Sequence, residues 1–229
     1  MPDGCVVSIW PAASYNGQVD KKRFVITYRL GFAFLIPITV AIQLAHSLEH
    51  GQNFSFVNFF SYFTIQSNLF AAVVLLMSAY VLWKHKKDPQ LESLRGAATL
   101  YMVVTGIIYS LLLRGDSLGT LLPWVNDILH RVFPVVMLFD WLYCRTARKF
   151  AAKETLLWLI YPVIYATYTL VHGPLARHWY PYPFIDAALH GYARVAMNCV
   201  IIAISMVVLA LALARLPLFL VKKSLKKSN

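Results

Sequence analysis

Two residues of this chain, Thr64 and His130, have types and positions that suit nucleophilic chemistry. Each lies seven residues into an apolar stretch, counted from Val57 and from Pro123. At the helical rise of about 1.5 Å per residue, both side chains lie roughly 10 Å below the same boundary. A threonine hydroxyl becomes a useful nucleophile when a neighbouring base accepts its proton, and an imidazole at the same depth is a candidate base. The alternative for Thr64 is a hydrogen bond to its own helix's carbonyl at i−4.

Polar residues near these two positions are candidates to orient the imidazole or to stabilise an oxyanion. Asp127, His130 and Arg131 are spaced i, i+3 and i+4, so they share one helix face. We therefore predict that Asp127 or Asn126 orients His130. The predicted oxyanion donors are Asn68, Gln66, Arg131 and Arg194. In the alternative interpretation, each of these groups forms an interhelical hydrogen bond that holds a membrane bundle together.

A loop rich in aromatic residues and proline is predicted to form the rim of the pocket. It reads Trp179-Tyr180-Pro181-Tyr182-Pro183-Phe184-Ile185-Asp186. Its prolines exclude a regular helix, and each favours an extended conformation in the preceding residue. The predicted rim residues are Tyr180, Tyr182, Phe184, Asp186 and His190. In the alternative, the aromatic side chains only anchor the loop at the level of the lipid headgroups.

Six apolar stretches must position these residues, and each is long enough to cross a bilayer. They are approximately residues 24–47, 57–83, 96–113, 123–144, 155–176 and 190–216. About 20 helical residues cross the hydrocarbon core of a membrane. Only 14% of the residues are charged, too few to cover the surface of a soluble domain. We therefore predict an all-α integral membrane protein: a six-helix transmembrane bundle of residues 21–217 between two tails, 1–20 and 218–229.

The distribution of basic residues predicts the orientation of the bundle. Sixteen Lys and Arg residues lie at four places: before the first stretch, in the loop between the second and third, in the loop between the fourth and fifth, and at the end of the last. The other loops carry only two, Arg114 and Arg177. Because short loops rich in Lys and Arg stay cytoplasmic, both tails are predicted to be cytoplasmic. The net charge of +11 then indicates contact with anionic lipid headgroups rather than with nucleic acid.

Polar and ionisable residues concentrate in the outer halves of the stretches, whereas the inner halves are mostly aliphatic. Of the seven histidines, only His85 lies on the predicted cytoplasmic side. Ionisable groups within a membrane are costly and are functional candidates by default, so we predict a polar pocket open to the outer leaflet. No fixed pattern of metal ligands appears, so no metal or other cofactor is predicted. A zinc-dependent site built from the outer histidines is the alternative.

Three motifs carry a family resemblance that covers approximately residues 24–216. They are Phe59-Phe60-Ser61-Tyr62-Phe63-Thr64-Ile65-Gln66-Ser67-Asn68-Leu69, then Asn126-Asp127-Ile128-Leu129-His130 with Pro134 and Asp140-Trp141, then Trp179-Tyr180-Pro181-Tyr182-Pro183-Phe184. Together they resemble the androgen-induced protein family and its bacterial six-helix relatives. The resemblance implies a membrane hydrolase of fatty-acid esters of hydroxy fatty acids, with Thr64 and His130 as its intramembrane threonine and histidine.

Two departures qualify this resemblance. Eukaryotic members have one more residue between the histidine and the next proline than the three that separate His130 from Pro134. The versions of the first and third motifs are closer to the bacterial branch, which implies a multi-pass protein of the bacterial cytoplasmic membrane.

The function predicted from the sequence is therefore hydrolysis of a lipid ester, such as a hydroxy-fatty-acid ester, that arrives from the membrane. The alternative is a non-enzymatic protein that binds or transports lipids. Transporters often show internal repeats and a site at the midplane of the membrane. No repeat is evident in this chain, and its polar cluster lies toward the outer boundary, so the hydrolase is the favoured prediction.

Overall fold

The computed structural model describes residues 15–51, 54–113, 121–144, 148–176 and 178–227, and side chains within residues 19–217 of these ranges. All regular secondary structure in these ranges is helical. The helices are α1 (Tyr15–His50), α2 (Phe56–Phe60), α3 (Phe63–Trp83), α4 (Pro89–Ile108), α5 (Pro123–Asp127), α6 (Phe133–Tyr143), α7 (Ala152–Leu157), α8 (Ile160–Leu175), α9 (Ala187–His190) and α10 (Tyr192–Lys227). A π-helical turn, Tyr109–Leu113, follows α4, and a second, Ile128–Val132, joins α5 to α6.

Five helical segments of the described chain are long and apolar enough to cross a membrane. They are Val19–His50, Phe63–Trp83, Pro89–Leu113, Ala152–Leu175 and Tyr192–Pro217. By length and composition the chain is therefore a helical, multi-pass membrane bundle. The remaining predicted stretch, residues 123–144, is helical from α5 through α6, but a π turn interrupts it and it carries three charged residues.

Local sequence signals account for several of the helix starts. Ser55 accepts a hydrogen bond from the backbone N–H of Asn58 and caps α2. Asp88 accepts from the N–H groups of the second and third residues of α4, and Pro89 follows it at the first helical position. Capping oxygens satisfy backbone donors that have no partner within the helix, and proline at that position loses no helical hydrogen bond.

The helices are not equally central in the bundle. In the most apolar part of the third segment, which contains α4, 61% of the residues are buried, against 17% for α7–α8 and 22% for α10. Two glycines of α4 allow its close packing: Gly96 contacts the ring of Trp158, and Gly106 contacts Pro134. Helices α1, α3, α4 and α6 thus form the centre, and α8 and α10 lie on one side of it.

A buried ionic network joins the central helices at the end of the bundle opposite α9. Arg29 and Asp140 are 2% and 0% exposed, and their Nε and Oδ1 atoms are 2.6 Å apart. Arg95 Nε lies 3.4 Å from Asp140 Oδ2. Tyr28 donates a hydrogen bond to Asp140, and Arg29 donates to the carbonyl of Ser78. Sequence reasoning missed this network among the mostly aliphatic residues, and Arg95, assigned from sequence to a loop, is buried within α4.

Candidate active site

The structure brings Thr64 and His130 together in the interior of the bundle. Thr64 Oγ1 lies 3.1 Å from His130 Nε2, and both residues are only 6% exposed. Thr64 is the second residue of α3, and His130 lies in the π turn between α5 and α6. Because π turns widen a helix and recur at functional sites, this turn is a local deviation that positions the imidazole.

The second ring nitrogen of His130 fixes its tautomer. His130 Nδ1 lies 3.1 Å from the carbonyl oxygen of Asn126, four residues earlier. A carbonyl oxygen can only accept, so Nδ1 carries the proton and Nε2 presents its lone pair to the hydroxyl of Thr64. The ring of Tyr109 stacks on the imidazole with 4.5 Å between centroids. The side-chain amide of Asn126 donates to the Tyr109 hydroxyl, which completes this support.

The predicted orienting role of Asp127 is not what the structure shows. The Asp127 carboxylate pairs with Arg131 at 2.7 Å, and the two side chains are 49% and 50% exposed. The pair lies on the exposed face of the helix, so neither residue reaches Thr64 Oγ1. Asn126 does orient the imidazole, but through its main-chain carbonyl rather than its side chain. The prediction of a shared helix face is confirmed for Asp127 and Arg131. The side chain of His130, which lies in the π turn, is directed into the bundle instead.

Tyr182, predicted as a rim residue, lies at the centre of the site. Its hydroxyl accepts a hydrogen bond from Thr64 N at 3.1 Å and lies 3.2 Å from Thr64 Oγ1. Its backbone is extended between Pro181 and Pro183, and its ring stacks on Phe184 with 5.3 Å between centroids. Burial raises the pKa of this loop tyrosine to about 12, so the hydroxyl keeps its proton at neutral pH.

Tyrosine hydroxyls cover the N-terminus of α3. Phe63 N–H donates to the Tyr165 hydroxyl at 3.2 Å, and Thr64 N–H donates to Tyr182. Tyr62, at the N-cap position, makes no side-chain capping bond. The first N–H groups of a helix lack intrahelical partners and lie at the positive end of its dipole. Sequence reasoning missed Tyr165, because an aromatic residue in an apolar helix gives no sign of the helix end it will contact.

The other predicted oxyanion donors are directed elsewhere. Asn68 Nδ2 donates to the carbonyls of Thr64 and Leu129 and so ties α3 to the π turn. Gln66 donates to the carbonyl of Phe60 and accepts from Tyr161. Arg194 is exposed on α10. Asn68 thus supports the site from behind, and none of these side chains contacts Thr64 Oγ1.

The remaining predicted rim residues serve the loop in different ways. Phe184 lines the large cavity next to the site. Tyr180 packs on Gly173, where a Cβ atom would lie 2.2 Å from the tyrosine ring. Asp186 caps α9 by accepting from the N–H groups of Ala188 and Leu189. His190 is exposed and does not line either of the two cavities described next.

Two cavities meet at the Thr64–His130 pair. The larger has a volume of about 430 Å³ and extends along apolar faces of α8 and α10. The smaller has a volume of about 120 Å³ and is lined in part by Gln43 and Ser47 of α1. Thr64, His130, Tyr182 and Leu113 line both cavities. The larger volume is within the range of about 300–1,000 Å³ that is typical of small-molecule sites.

The histidines do not gather into one site. Among the residues that the structure describes, no three His, Cys, Asp or Glu side chains come together as ligands of one metal ion. His46 stacks on His50 in α1, and His172 lies 3.3 Å from the side-chain oxygen of Asn58. The two ring nitrogens of His130 instead contact the Thr64 hydroxyl and the Asn126 carbonyl.

No protein-family model, curated protein or solved structure matches this chain. The resemblance to the androgen-induced protein family therefore stays a prediction from three motifs.

Proposed function

We propose that this chain is an intramembrane hydrolase of fatty-acid esters that uses Thr64 as its nucleophile and His130 as its general base. The observation that carries the proposal is the 3.1 Å contact between Thr64 Oγ1 and His130 Nε2. The Asn126 carbonyl supports the proposal, because it accepts the proton of Nδ1 and so leaves the lone pair of Nε2 for the Thr64 hydroxyl. A hydroxyl, a correctly oriented base and an adjacent apolar cavity are the elements that acyl transfer requires.

In the first half of the reaction, the Thr64 oxygen attacks the carbonyl carbon of the ester while His130 Nε2 takes the hydroxyl proton. The tetrahedral intermediate then collapses: the bond from the carbonyl carbon to the alcohol oxygen breaks, and His130 returns the proton to that oxygen. The products are the free alcohol and an acyl ester of Thr64.

Tyr182 is the oxyanion donor in this proposal. Its hydroxyl is 3.2 Å from Thr64 Oγ1, close to where the carbonyl oxygen of a bound ester must lie. A buried, protonated hydroxyl at the positive end of a helix stabilises a developing negative charge at little reorganisation cost. Without substrate, the Tyr182 hydroxyl lies within hydrogen-bond distance of Thr64 Oγ1. When an ester binds, the same hydroxyl donates its hydrogen bond to the oxyanion.

In the second half, His130 removes a proton from water, and the resulting hydroxide attacks the acyl carbon. The bond to the Thr64 oxygen breaks, and that oxygen regains its proton from His130. A fatty acid leaves and the enzyme returns to its starting state.

The proposal also includes the orientation of the bundle in the membrane. The helical run of α5, the π turn and α6 is about 30 Å long, enough for a sixth crossing. Six crossings put both termini on the cytoplasmic side, which agrees with the sixteen-to-two distribution of basic residues. The Thr64–His130 pair then lies toward the outer leaflet of the bacterial cytoplasmic membrane. Exposed cavity-lining residues, Val163 of α8 and Val200 of α10, support lateral access from lipid.

The test uses the full-length protein purified in detergent, with fluorophosphonate labelling and ester hydrolysis as readouts. We expect Thr64→Ala and His130→Ala to abolish labelling and to lower kcat by about a thousandfold or more, with partial recovery in Thr64→Ser. Thr39→Ala is the matched control, because Thr39 is a buried threonine of α1 whose hydroxyl donates to the carbonyl of Leu35 within its own helix. Labelling and turnover that survive in both site variants would refute the mechanism. Ester binding without Thr64-dependent turnover would favour the lipid-binding alternative.

A further inference from the structure

The two cavities that meet at Thr64 differ in size and in chemistry. The larger, about 430 Å³, is lined mainly by aliphatic and aromatic side chains. The smaller, about 120 Å³, has the polar residues Gln43, Ser47 and Tyr62 in its lining. Because Thr64, His130 and Tyr182 line both, the two substituents of an ester held at Thr64 have both cavities within reach.

We infer that the large cavity binds the acyl chain and the small cavity binds the alcohol, so that the preferred substrates are long-chain acyl esters of a small polar alcohol of about glycerol size. This inference rests on the proposed hydrolase function and deepens it. It departs from the hydroxy-fatty-acid esters implied by the family resemblance, which carry a long chain on both sides of the ester bond.

The large cavity is long and apolar enough to take an acyl chain. Along α8 it extends from Leu170 to Leu159, a distance of about 16 Å at the helical rise. Met206 and Ala203 line the facing side from α10. An aliphatic chain in this space leaves no buried polar group without a partner, and its burial is favourable for every methylene.

The small cavity offers less room than the large one and includes polar residues in its lining. Its volume of about 120 Å³ is less than a third of the 430 Å³ of the large cavity. Gln43 and Ser47 are buried, and Gln43 holds its position by donating to Ser47 and accepting from Leu122 N–H. Ordered polar groups in a confined space favour binding of a ligand that hydrogen-bonds with them over binding of an apolar ligand.

The experiment compares kcat/KM of the full-length protein for three esters of decanoic acid, with glycerol, with decanol and with 9-hydroxystearic acid, and for decyl acetate. We expect glycerol monodecanoate to be hydrolysed at least tenfold more efficiently than the other three. Decyl acetate presents the reverse arrangement, a long alcohol and a short acyl group. Equal or faster hydrolysis of the decanol, hydroxystearate or acetate ester would overturn the assignment of the cavities.

Cavity variants are read as ratios between substrates within one protein, which cancels differences in folded fraction. Ala203→Trp fills the large cavity and should lower the ratio of glycerol monodecanoate to glycerol monobutyrate hydrolysis at least tenfold. Ala196→Trp is its matched control, since Ala196 is an exposed residue of α10 that lines neither cavity. Leu121→Ala enlarges the small cavity and should raise hydrolysis of decyl decanoate relative to glycerol monodecanoate at least threefold. Unchanged ratios in both cavity variants would refute the inference.

Failure of the inference and failure of the proposed function give different results. Thr64-dependent hydrolysis with the wrong substrate preference overturns the cavity assignment and leaves the hydrolase standing. No Thr64-dependent hydrolysis of any of these esters, together with no fluorophosphonate labelling, overturns the hydrolase and the assignment with it.

Discussion

At the scale of single residues, the proposed hydrolase orients its imidazole with a backbone carbonyl, where many catalytic triads use a carboxylate. The carbonyl of Asn126 holds the Nδ1 proton of His130, and the neighbouring Asp127 pairs with Arg131 on the exposed face. A neutral carbonyl fixes the tautomer without placing a negative charge in a dry interior, where an unpaired charge is costly. The site thus contains a hydroxyl, an imidazole and the Tyr182 hydroxyl, and no carboxylate of the described residues contacts the imidazole nitrogens.

Removal of the Tyr182 hydroxyl tests its role as oxyanion donor. We expect Tyr182→Phe to lower kcat by about 10²–10³-fold, the usual effect of losing one such donor, with a much smaller change in KM. Steady-state kinetics on one soluble ester would measure both. Tyr180→Phe is the matched control in the same loop, because Tyr180 packs on Gly173 through its ring. A kcat for Tyr182→Phe within threefold of the native value would contradict the role.

At the scale of elements, two helix irregularities and one helix terminus build the site. His130 and Tyr109 lie in the two π turns, and their rings stack on each other. Gly106 of α4 makes this approach possible, since a Cβ there would lie 3.1 Å from Pro134 and 3.4 Å from the carbonyl oxygen of His130. The N-terminus of α3 supplies Thr64 and the N–H group that fixes Tyr182.

Close packing of α4 against Trp158 makes Gly96 intolerant of a side chain. A Cβ at Gly96 would lie 2.3 Å from the Trp158 ring, so Gly96→Ala should destabilise the fold by about 1–3 kcal/mol through overpacking. Thermal unfolding in detergent, read as a lower Tm, measures the effect. Gly31→Ala is the matched control, because nothing lies within 4 Å of a Cβ at that helical position and alanine favours helix. Equal Tm values for the two variants would be inconsistent with this packing.

At the scale of the whole molecule, the bundle separates two kinds of polar group by depth. The neutral site lies toward the α9 end, and the ionic network of Arg29, Arg95 and Asp140 lies toward the other. The network links α1, α4 and α6, and its bond to the Ser78 carbonyl adds α3. The ionic network therefore holds the central helices together while α8 and α10 are left to form the walls of the large cavity.

Loss of the central carboxylate should destabilise the bundle strongly. Asp140→Asn leaves Arg29 and Arg95 buried without their shared anion, and removing one partner of a buried ion pair typically costs about 3–5 kcal/mol. Asp127→Asn is the matched control, since its pair with Arg131 is half exposed and lies apart from the network. Denaturant unfolding in detergent compares the two. A cost for Asp140→Asn no larger than that of the control would rule out a structural role for the network.

The number of crossings determines whether the two termini lie on one side of the membrane. With α5–α6 as a sixth crossing, reporter fusions at both termini should give cytoplasmic signals, because the basic loops are retained inside. Alkaline phosphatase and green fluorescent protein fusions to each terminus provide the measurement, with a fusion after Leu122 as the control for the outer side. Termini on opposite sides would leave five crossings and would place α5–α6 outside the set of spans.

The sequence alone determined the properties that depend on one segment at a time. Apolar length identified the helical stretches, and helical depth put Thr64 and His130 at one level. Tertiary structure decided which groups contact them: the Asn126 carbonyl in place of Asp127, and Tyr182 at the centre in place of the rim. It also decided that Arg95, assigned from sequence to a loop, is buried within α4. The reason is geometric. Spacing along a helix specifies which residues share a face, but the neighbour opposite that face comes from a distant part of the chain and depends on how the helices pack.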